Sequence, residues 1–327
     1  CAAGSSDAFV TRFDLGGKEL WTRQFGGMGY DDVAGIAVDA GNIFVAGSQF
    51  AGSVQYPARA VDHAFLARLE KAAAADSPSE TRILHECVGN AASGVGGAVS
   101  PGEIVKILGA AIGPSTAVAA RTVEGLPFDT TLGETRVLFG GVAAPLLEVS
   151  SGQVTAIVPN AVAGRTSVEV QVEYRGTRSN AVTLPVLQAH PGIFGLDSSG
   201  WGAVRNEDGS VNSPENPARR GSTVSIYGTG GGTTDRATAD GQVVGSSPAR
   251  LKTTVLVYFP ETEDTVSYVP VTEASYAGAV PGLVAGVLQV NIRVPESLPD
   301  GNWRLDLGFG GWSEAQTQSL QIAVSGK

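Results

Sequence analysis

Charged and aromatic residues are scarce in this chain of 327 residues, at 17% and 7% of the total, and there is a single methionine. No apolar run approaches the roughly 18 residues of a membrane-spanning helix, so no membrane span is predicted. The net charge of −10 would repel a phosphate backbone, and nucleic acid is therefore not an expected partner. This composition favours a secreted or surface β-protein over a cytosolic enzyme.

Cysteine is also rare. The two cysteines, Cys1 and Cys87, belong to no C-x-x-C pair, which argues against a structural zinc site. They could form one disulfide, which would suit an oxidising compartment, or Cys87 could be buried while Cys1 stays free. The sequence leaves both alternatives open. Because the chain does not begin with methionine, we expect it to be processed or to be a fragment of a longer protein.

Glycine and proline are abundant, with 44 and 17 residues, and both disfavour helix interiors. In residues 1–70, short alternating segments are separated by glycine-rich turns. Residues 33–38 and 42–46 flank an Asp/Gly turn, which predicts a hairpin. Residues 63–68 repeat the pattern of residues 7–12, and the spacing from Phe9 to Phe65 is that of one propeller blade of about four strands.

Trp21 and the motifs at 6–13, 25–27, 32–39 and 41–47 resemble the SBBP-type β-propeller repeat of large secreted bacterial proteins. The resemblance implies a propeller-blade-like N-terminal sheet. The chain holds one blade plus the last strand of another, whereas a closed propeller needs about four to eight blades. We therefore expect the N-terminal sheet to be incomplete, with strand edges that recruit other strands.

A second internal repeat follows a linker predicted at residues 71–84. Residues 101–109 match residues 220–228, and residues 153–159 match residues 289–295. Two such copies predict two Ig-like β-sandwiches in tandem, at residues 85–188 and 189–327. The predicted fold class is all-β, with one propeller-blade-like N-terminal sheet followed by these two sandwich domains.

The tandem region also resembles a known family. Its ordered motifs are similar to the uncharacterised C-terminal domain that follows SBBP-type repeats in secreted bacterial proteins. They lie at 88–93, 101–105, 144–147, 153–154, 158–159, 190–194, 227–230 and 289–291. The resemblance implies a secreted or surface-attached protein, and the family has no established catalytic role.

The candidate catalytic motifs are weak. The glycine-rich stretch at 228–232 is followed by no apolar helical period, so a β-turn or bulge is favoured over a phosphate loop. His63, His85 and His190 are scattered, and Gly89 stands where a zinc-protease helix beginning at His85 would need its second histidine. A histidine in the core or on the surface is the default interpretation.

Calcium and carbohydrate are the ligands that the sequence leaves open. Acidic groups at Asp31, Asp32 and Asp39 and at Glu261, Glu263 and Asp264 could bind Ca²⁺ or simply face solvent, and no other cofactor is expected. Four tryptophans could form a sugar-stacking platform or pack in the core, namely Trp21, Trp201, Trp303 and Trp312.

Three functions follow from these features. The leading hypothesis is a non-enzymatic extracellular structural protein that assembles with copies of itself through β-strand edges, into a filament or tube. The predicted assembly edge comprises Asp7, Phe9, Thr11, Phe13, Phe65 and Arg68. The alternative is an adhesion or carbohydrate-binding module that binds a surface glycan. A hydrolase is the third, and it would require a deep cleft with a perturbed carboxylate or histidine.

Overall fold

The chain is all-β. The computed structural model describes residues 8–13, 19–25, 31–39, 42–50, 62–69, 82–122, 126–195, 201–236, 238–260, 272–310 and 317–326. These residues contain 25 strands in six sheets, with a short 3₁₀ turn at Asn160–Val162. Within the part of the chain that is described, no helix is long and apolar enough to cross a bilayer.

The N-terminal region contains two sheets. Strands β1 (Ala8–Phe13) and β2 (Glu19–Phe25) form an antiparallel hairpin. Strands β3 (Asp31–Asp39), β4 (Asn42–Phe50) and β5 (Asp62–Leu69) form an antiparallel sheet with β4 in the centre. The predicted hairpin is confirmed, since Val38 pairs with Ile43 across the turn. The described part of the first repeated pattern, residues 8–12, lies on β1, whereas the second, residues 63–68, lies on β5 in a different sheet.

The first sandwich packs two five-stranded sheets around an apolar core. Valines at alternate positions of the long strand β13, at Val168, Val170 and Val172, point into this core with Phe139 and Leu146. One sheet has the order β6 (Arg82–Asn90), β7 (Ile104–Ala110), β12 (Gln153–Ile157), β11 (Leu146–Val149) and β8 (Val118–Ala119). The other contains β10 (Val142–Ala143), β9 (Thr135–Phe139), β13 (Ser167–Tyr174), β14 (Thr177–Arg178) and β15 (Val182–Pro185).

The second sandwich repeats this plan. Trp303, Leu305, Leu307 and Phe309 alternate along one strand and fill its core. One sheet contains β16 (Gly192–Ile193), β17 (Val204–Arg205), β19 (Thr223–Thr229), β23 (Leu288–Arg293) and β22 (Tyr276–Ala279). The other has the order β18 (Ala218–Arg219), β25 (Thr317–Ser325), β24 (Gly301–Phe309), β20 (Val255–Tyr258) and β21 (Thr272–Glu273).

The internal repeat is visible in the strand pairing. β7 pairs with β12 in the first sandwich, and β19 pairs with β23 in the second. Gly102 and Gly221 precede β7 and β19 and both adopt φ of +74°. Their amides donate to the equivalent carbonyls of Val158 and Val294, at 2.9 and 2.8 Å. β6 begins at Arg82, inside the predicted linker, and the predicted domain limits stay predictions.

Candidate functional site

Five buried polar residues meet where the two sandwiches touch, and we call them the junction cluster. Asn90 ends β6, and Ser100 and Glu103 belong to the turn before β7. From the second sandwich, His190 precedes β16 and Thr229 ends β19. Glu103 is 0% exposed and His190 is 4% exposed. Polar groups withdrawn from water in this way are costly unless they are hydrogen-bonded, so their partners determine what the cluster does.

Both carboxylate oxygens of Glu103 have partners. Oε2 accepts a hydrogen bond from the Ser100 amide at 2.7 Å, and Oε1 lies 2.8 Å from Nδ1 of His190. The Ser100 hydroxyl lies 3.3 Å from Oε2 and 3.2 Å from the carbonyl oxygen of Gly230, and its single proton can bond either acceptor. The carboxylate therefore connects the first sandwich to the second and is inaccessible to a substrate.

Burial and mutual attraction both shift the ionisation of this pair. Burial raises the pKa of Glu103, and the hydrogen bond and positive charge of His190 offset this only in part. Burial acts to lower the pKa of His190, but its hydrogen bond to Glu103 and the charge of that carboxylate together outweigh burial, so the pKa is raised. The folded pair consequently retains a proton to higher pH than the separate groups would.

Two neutral side chains complete the cluster. The Thr229 hydroxyl accepts from the Ile104 amide at 2.8 Å and donates to the Gly286 carbonyl at 2.7 Å. Nδ2 of Asn90 donates to the His190 carbonyl at 2.9 Å, while Oδ1 of Asn90 accepts from the backbone amides of Ala92 and Ser93. Each hydrogen bond in such a network contributes of the order of 1 kcal/mol net, and leaving one group unpaired costs more.

The glycine-rich stretch 228–232 brings the backbones at this junction close together. Gly230 and Gly232 have φ of +79° and +84°, which favours glycine. A Cβ on Gly230 would collide with the His190 carbonyl, and one on Gly232 would collide with the Gln188 carbonyl. In the described residues that follow, 233–236 and 238–260, no helix begins that could supply the aligned N–H groups of a phosphate loop.

A small cavity lies beside the cluster. Its volume is about 50 Å³, and glycines 230–232 and Gly286 form part of its wall. At one side, Asp240 Oδ1 accepts from the Asn160 amide at 3.0 Å and from Asn160 Nδ2 at 2.8 Å. Pockets that hold small-molecule ligands are typically of the order of 300–1,000 Å³. This cavity is large enough for one or a few water molecules and too small for a sugar ring.

The structure disperses most of the other candidate residues. Trp303 is 5% exposed in the core of the second sandwich, where its Nε1 donates to the Pro299 carbonyl at 2.9 Å. It cannot therefore join a surface platform. Trp201 is half-buried, Trp21 lies on β2, and Trp312 lies outside the described residues.

The acidic groups and the other histidines are similarly spread. Asp31, Asp32 and Asp39 lie on β3, and the group at Glu261, Glu263 and Asp264 falls outside the described residues. His63 is on β5 and His85 on β6. Among the residues described, no three carboxylate, histidine or cysteine side chains are grouped so that they could hold a metal ion.

Cys1 and Asp7 fall outside the described residues, and Cys87 lies on β6. The predicted disulfide therefore stays a prediction. The other predicted edge residues lie on β1 (Phe9, Thr11, Phe13) and on β5 (Phe65, Arg68).

Glu103 is not among the predicted site residues, and its pairing with His190 was not predicted. A signal was nevertheless present, because Glu103 immediately precedes the apolar start of β7 at a position where the second copy of the repeat has Ser222. A carboxylate in one copy of the repeat, where the other copy has a small neutral residue, indicates that the two turns have different surroundings.

Comparison with known proteins supports the two kinds of domain. A family model described as a beta-propeller repeat, SBBP, matches residues 20–48, and one described as an IPT/TIG domain, which is Ig-like, matches residues 111–186. The resemblance to the uncharacterised C-terminal domain stays a prediction. No curated protein matches the chain.

Two similar solved structures come from bacteria. The protein SGBP-B of the Bacteroides ovatus mixed-linkage glucan utilization locus, in complex with a mixed-linkage heptasaccharide, is 11% identical with a TM-score of 0.33. The match covers 98% of this chain and 60% of that one, so this chain spans about three fifths of that protein's length. A putative membrane anchored protein from Corynebacterium diphtheriae is 10% identical over 93% of this chain and 68% of that one, with a TM-score of 0.18. Similarities this weak do not bear on function.

Proposed function

We propose that the chain is a non-enzymatic extracellular structural protein that associates with copies of itself through the strand edges of its N-terminal sheets. The observation that carries this proposal is the exposure of β3. Ile36 and Val38 on this strand are 56% and 71% exposed. Being two residues apart, they lie on the same face of the sheet.

The topology of this sheet adds a second reason. β3 and β5 flank β4, and within the described residues β3 pairs with no other strand. An edge strand presents unpaired N–H and C=O groups that a further strand can use. Pairing would also bury apolar surface of Ile36 and Val38, and each Å² of apolar surface removed from water contributes about 25 cal/mol of stabilisation. A second copy that adds a strand would both pair the backbone groups of the edge and cover its apolar side chains.

Two further observations support the proposal. The ionisable pair at the junction, Glu103 and His190, is occupied with internal partners, as expected of groups that stabilise structure. Residues 20–48 match a beta-propeller repeat model. The sequence resemblance to the repeats of large secreted bacterial proteins favours an extracellular location.

Sedimentation velocity of the whole chain over a wide concentration range tests the proposal. The wild type should show species larger than a monomer that increase with concentration. The double variant Ile36→Lys/Val38→Lys should sediment as a monomer, because two charges would be buried in the new contact. Val211→Lys is the matched control, since Val211 is 44% exposed on the second sandwich and should not affect association.

A wild-type chain that remains monomeric at every concentration would contradict self-association. Association that persists in the double variant would also count against the assignment to β3. A monomer that bound a glycan on an array would replace this proposal by the carbohydrate-binding alternative.

A further inference from the structure

We propose that the contact between Glu103 and His190 is a proton-controlled latch, which holds the two sandwiches together while the pair carries a proton and loosens their junction when that proton is lost. This inference is independent of self-association, because it concerns the contact between two parts of a single chain.

The position of the pair makes it suitable for this role. Glu103 belongs to the turn before β7 in the first sandwich, and His190 precedes β16 in the second. Their 2.8 Å contact is surrounded by other bonds across the junction, from Ile104 to Thr229 and from Asn90 to the His190 carbonyl. Loss of attraction at the centre of this set weakens the contacts around it.

The surroundings of the pair provide no substitute charge. The Ser100 amide and the Asn90 side chain act to lower the pKa of Glu103 but carry no charge, and Gly230 presents a carbonyl. Among the described residues, the ionisable group that acts on Glu103 is His190, and the one that acts on His190 is Glu103. When the pair has lost its proton, a buried carboxylate therefore remains without a compensating positive charge, which is an unfavourable state.

The direction of the pH dependence follows from the two shifts. The pKa of His190 is raised from its ordinary value of 6.5, and that of Glu103 from 4.5. Each group thus binds its proton more tightly in the folded chain, and its stabilising contribution is complete below the ordinary value and is lost as pH rises through the folded value. For His190 the loss begins above pH 6.5, and the folding equilibrium constant falls by up to tenfold for each pH unit until the folded pKa is reached.

The primary test is amide hydrogen exchange on the whole chain between about pH 5.5 and 8.5, with rates corrected for intrinsic exchange. We expect the protection of the Ile104 amide, which bonds Thr229, to fall with rising pH. The amides of Val154 and Val290, in the centres of the two sandwiches, should change less. Equal changes at all three sites, or none, would overturn the latch.

Variants sharpen this test. Glu103→Gln keeps the shape and removes the charge, so the stability measured by denaturation should lose the component of its pH dependence that begins near pH 6.5. Ser222→Ala is the matched control at the equivalent turn of the second sandwich and should keep the wild-type profile.

Direct titration of His190 by NMR completes the experiment, with its signal assigned by the loss of that signal in His190→Gln. Its pKa should be above 6.5 in the wild type and lower in Glu103→Gln. The same pKa in both proteins would refute the pairing. If Glu103→Gln does not fold, the exchange and titration data on the wild type still decide the question.

Discussion

The turns before β7 and β19 have equivalent backbone hydrogen bonds in the two sandwiches but a different role in each. The Glu103 amide donates to the Ser100 carbonyl at 3.2 Å, and the equivalent Ser222 amide donates to the Arg219 carbonyl at 3.1 Å. In the first sandwich this turn is buried against its neighbour, whereas Ser222 is half-buried and bonds the Arg219 carbonyl through its hydroxyl. The glycine at positive φ and the strand pairing that follows it therefore determine the backbone of each turn. The surroundings of the turn determine whether the next residue is a glutamate or a serine.

The two cores provide the strongest test of whether the sandwiches act together. Phe139 and Phe309 are both fully buried, one in each core. Replacing either by alanine should lower the free energy of unfolding by roughly 3–5 kcal/mol, because area and packing are lost. At pH 6 we expect one cooperative transition by denaturant, shifted in both variants, since the junction cluster connects the sandwiches. Two separate transitions, one of them unchanged, would show that the sandwiches are independent.

A smaller effect is expected where glycine permits close approach at the junction. Gly230→Ala should destabilise the chain by about 3 kcal/mol, because the new Cβ meets the His190 carbonyl at a φ that alanine avoids. Gly102→Ala is the control, since it shares the positive φ and has room for a Cβ, and it should cost about 1 kcal/mol. Equal losses measured by urea denaturation would show that the junction is not tightly packed.

Buried asparagines distinguish bonds across the junction from bonds within one sandwich. Asn90 bonds the His190 carbonyl across it, while Asn212 bonds both backbone groups of Ala323 within the second sandwich. Either asparagine replaced by alanine should cost about 2 kcal/mol, because backbone groups lose buried partners. Asn90→Ala alone should also reduce the exchange protection of the Ile104 amide. A similar reduction in Asn212→Ala would contradict this distinction.

The smallest effect is expected at the surface of the first sandwich. Arg175 and Glu134 form a 2.9 Å ion pair in which both side chains are about two-thirds exposed. Water screens such pairs, so Arg175→Ala should leave the melting temperature unchanged within error. A fall of several degrees would show that this pair, unlike other exposed pairs, is important for stability.

Much of the fold could be predicted from the sequence because its signals are local. Alternating valines and leucines, punctuated by glycine, indicated strands, and the match of residues 101–109 to 220–228 predicted two similar sandwiches. The structure confirms the all-β class and the equivalent pairing of β7 and β19. Such features can be predicted from neighbouring residues alone, because side chains in a strand alternate between the two faces of the sheet every two residues.

The junction could not be predicted in the same way. Glu103 and His190 are 87 residues apart, and neither belongs to a motif that indicates pairing. Their contact depends on how one sandwich is placed against the other, which is a property of surfaces and not of any single strand. The self-association edge and the disulfide stay predictions.

The route by which the chain enters the first sandwich has a mechanical consequence. β6 is the outermost strand of its sheet, and its register with β7 shifts between Ile83 and Val88. A force applied along β6 from its N-terminal end would act in shear on the hydrogen bonds between β6 and β7. These bonds form two short groups, one on each side of the register shift. Under tension, the strand should therefore yield in two steps, with the group around Ile83 giving way before that around Val88.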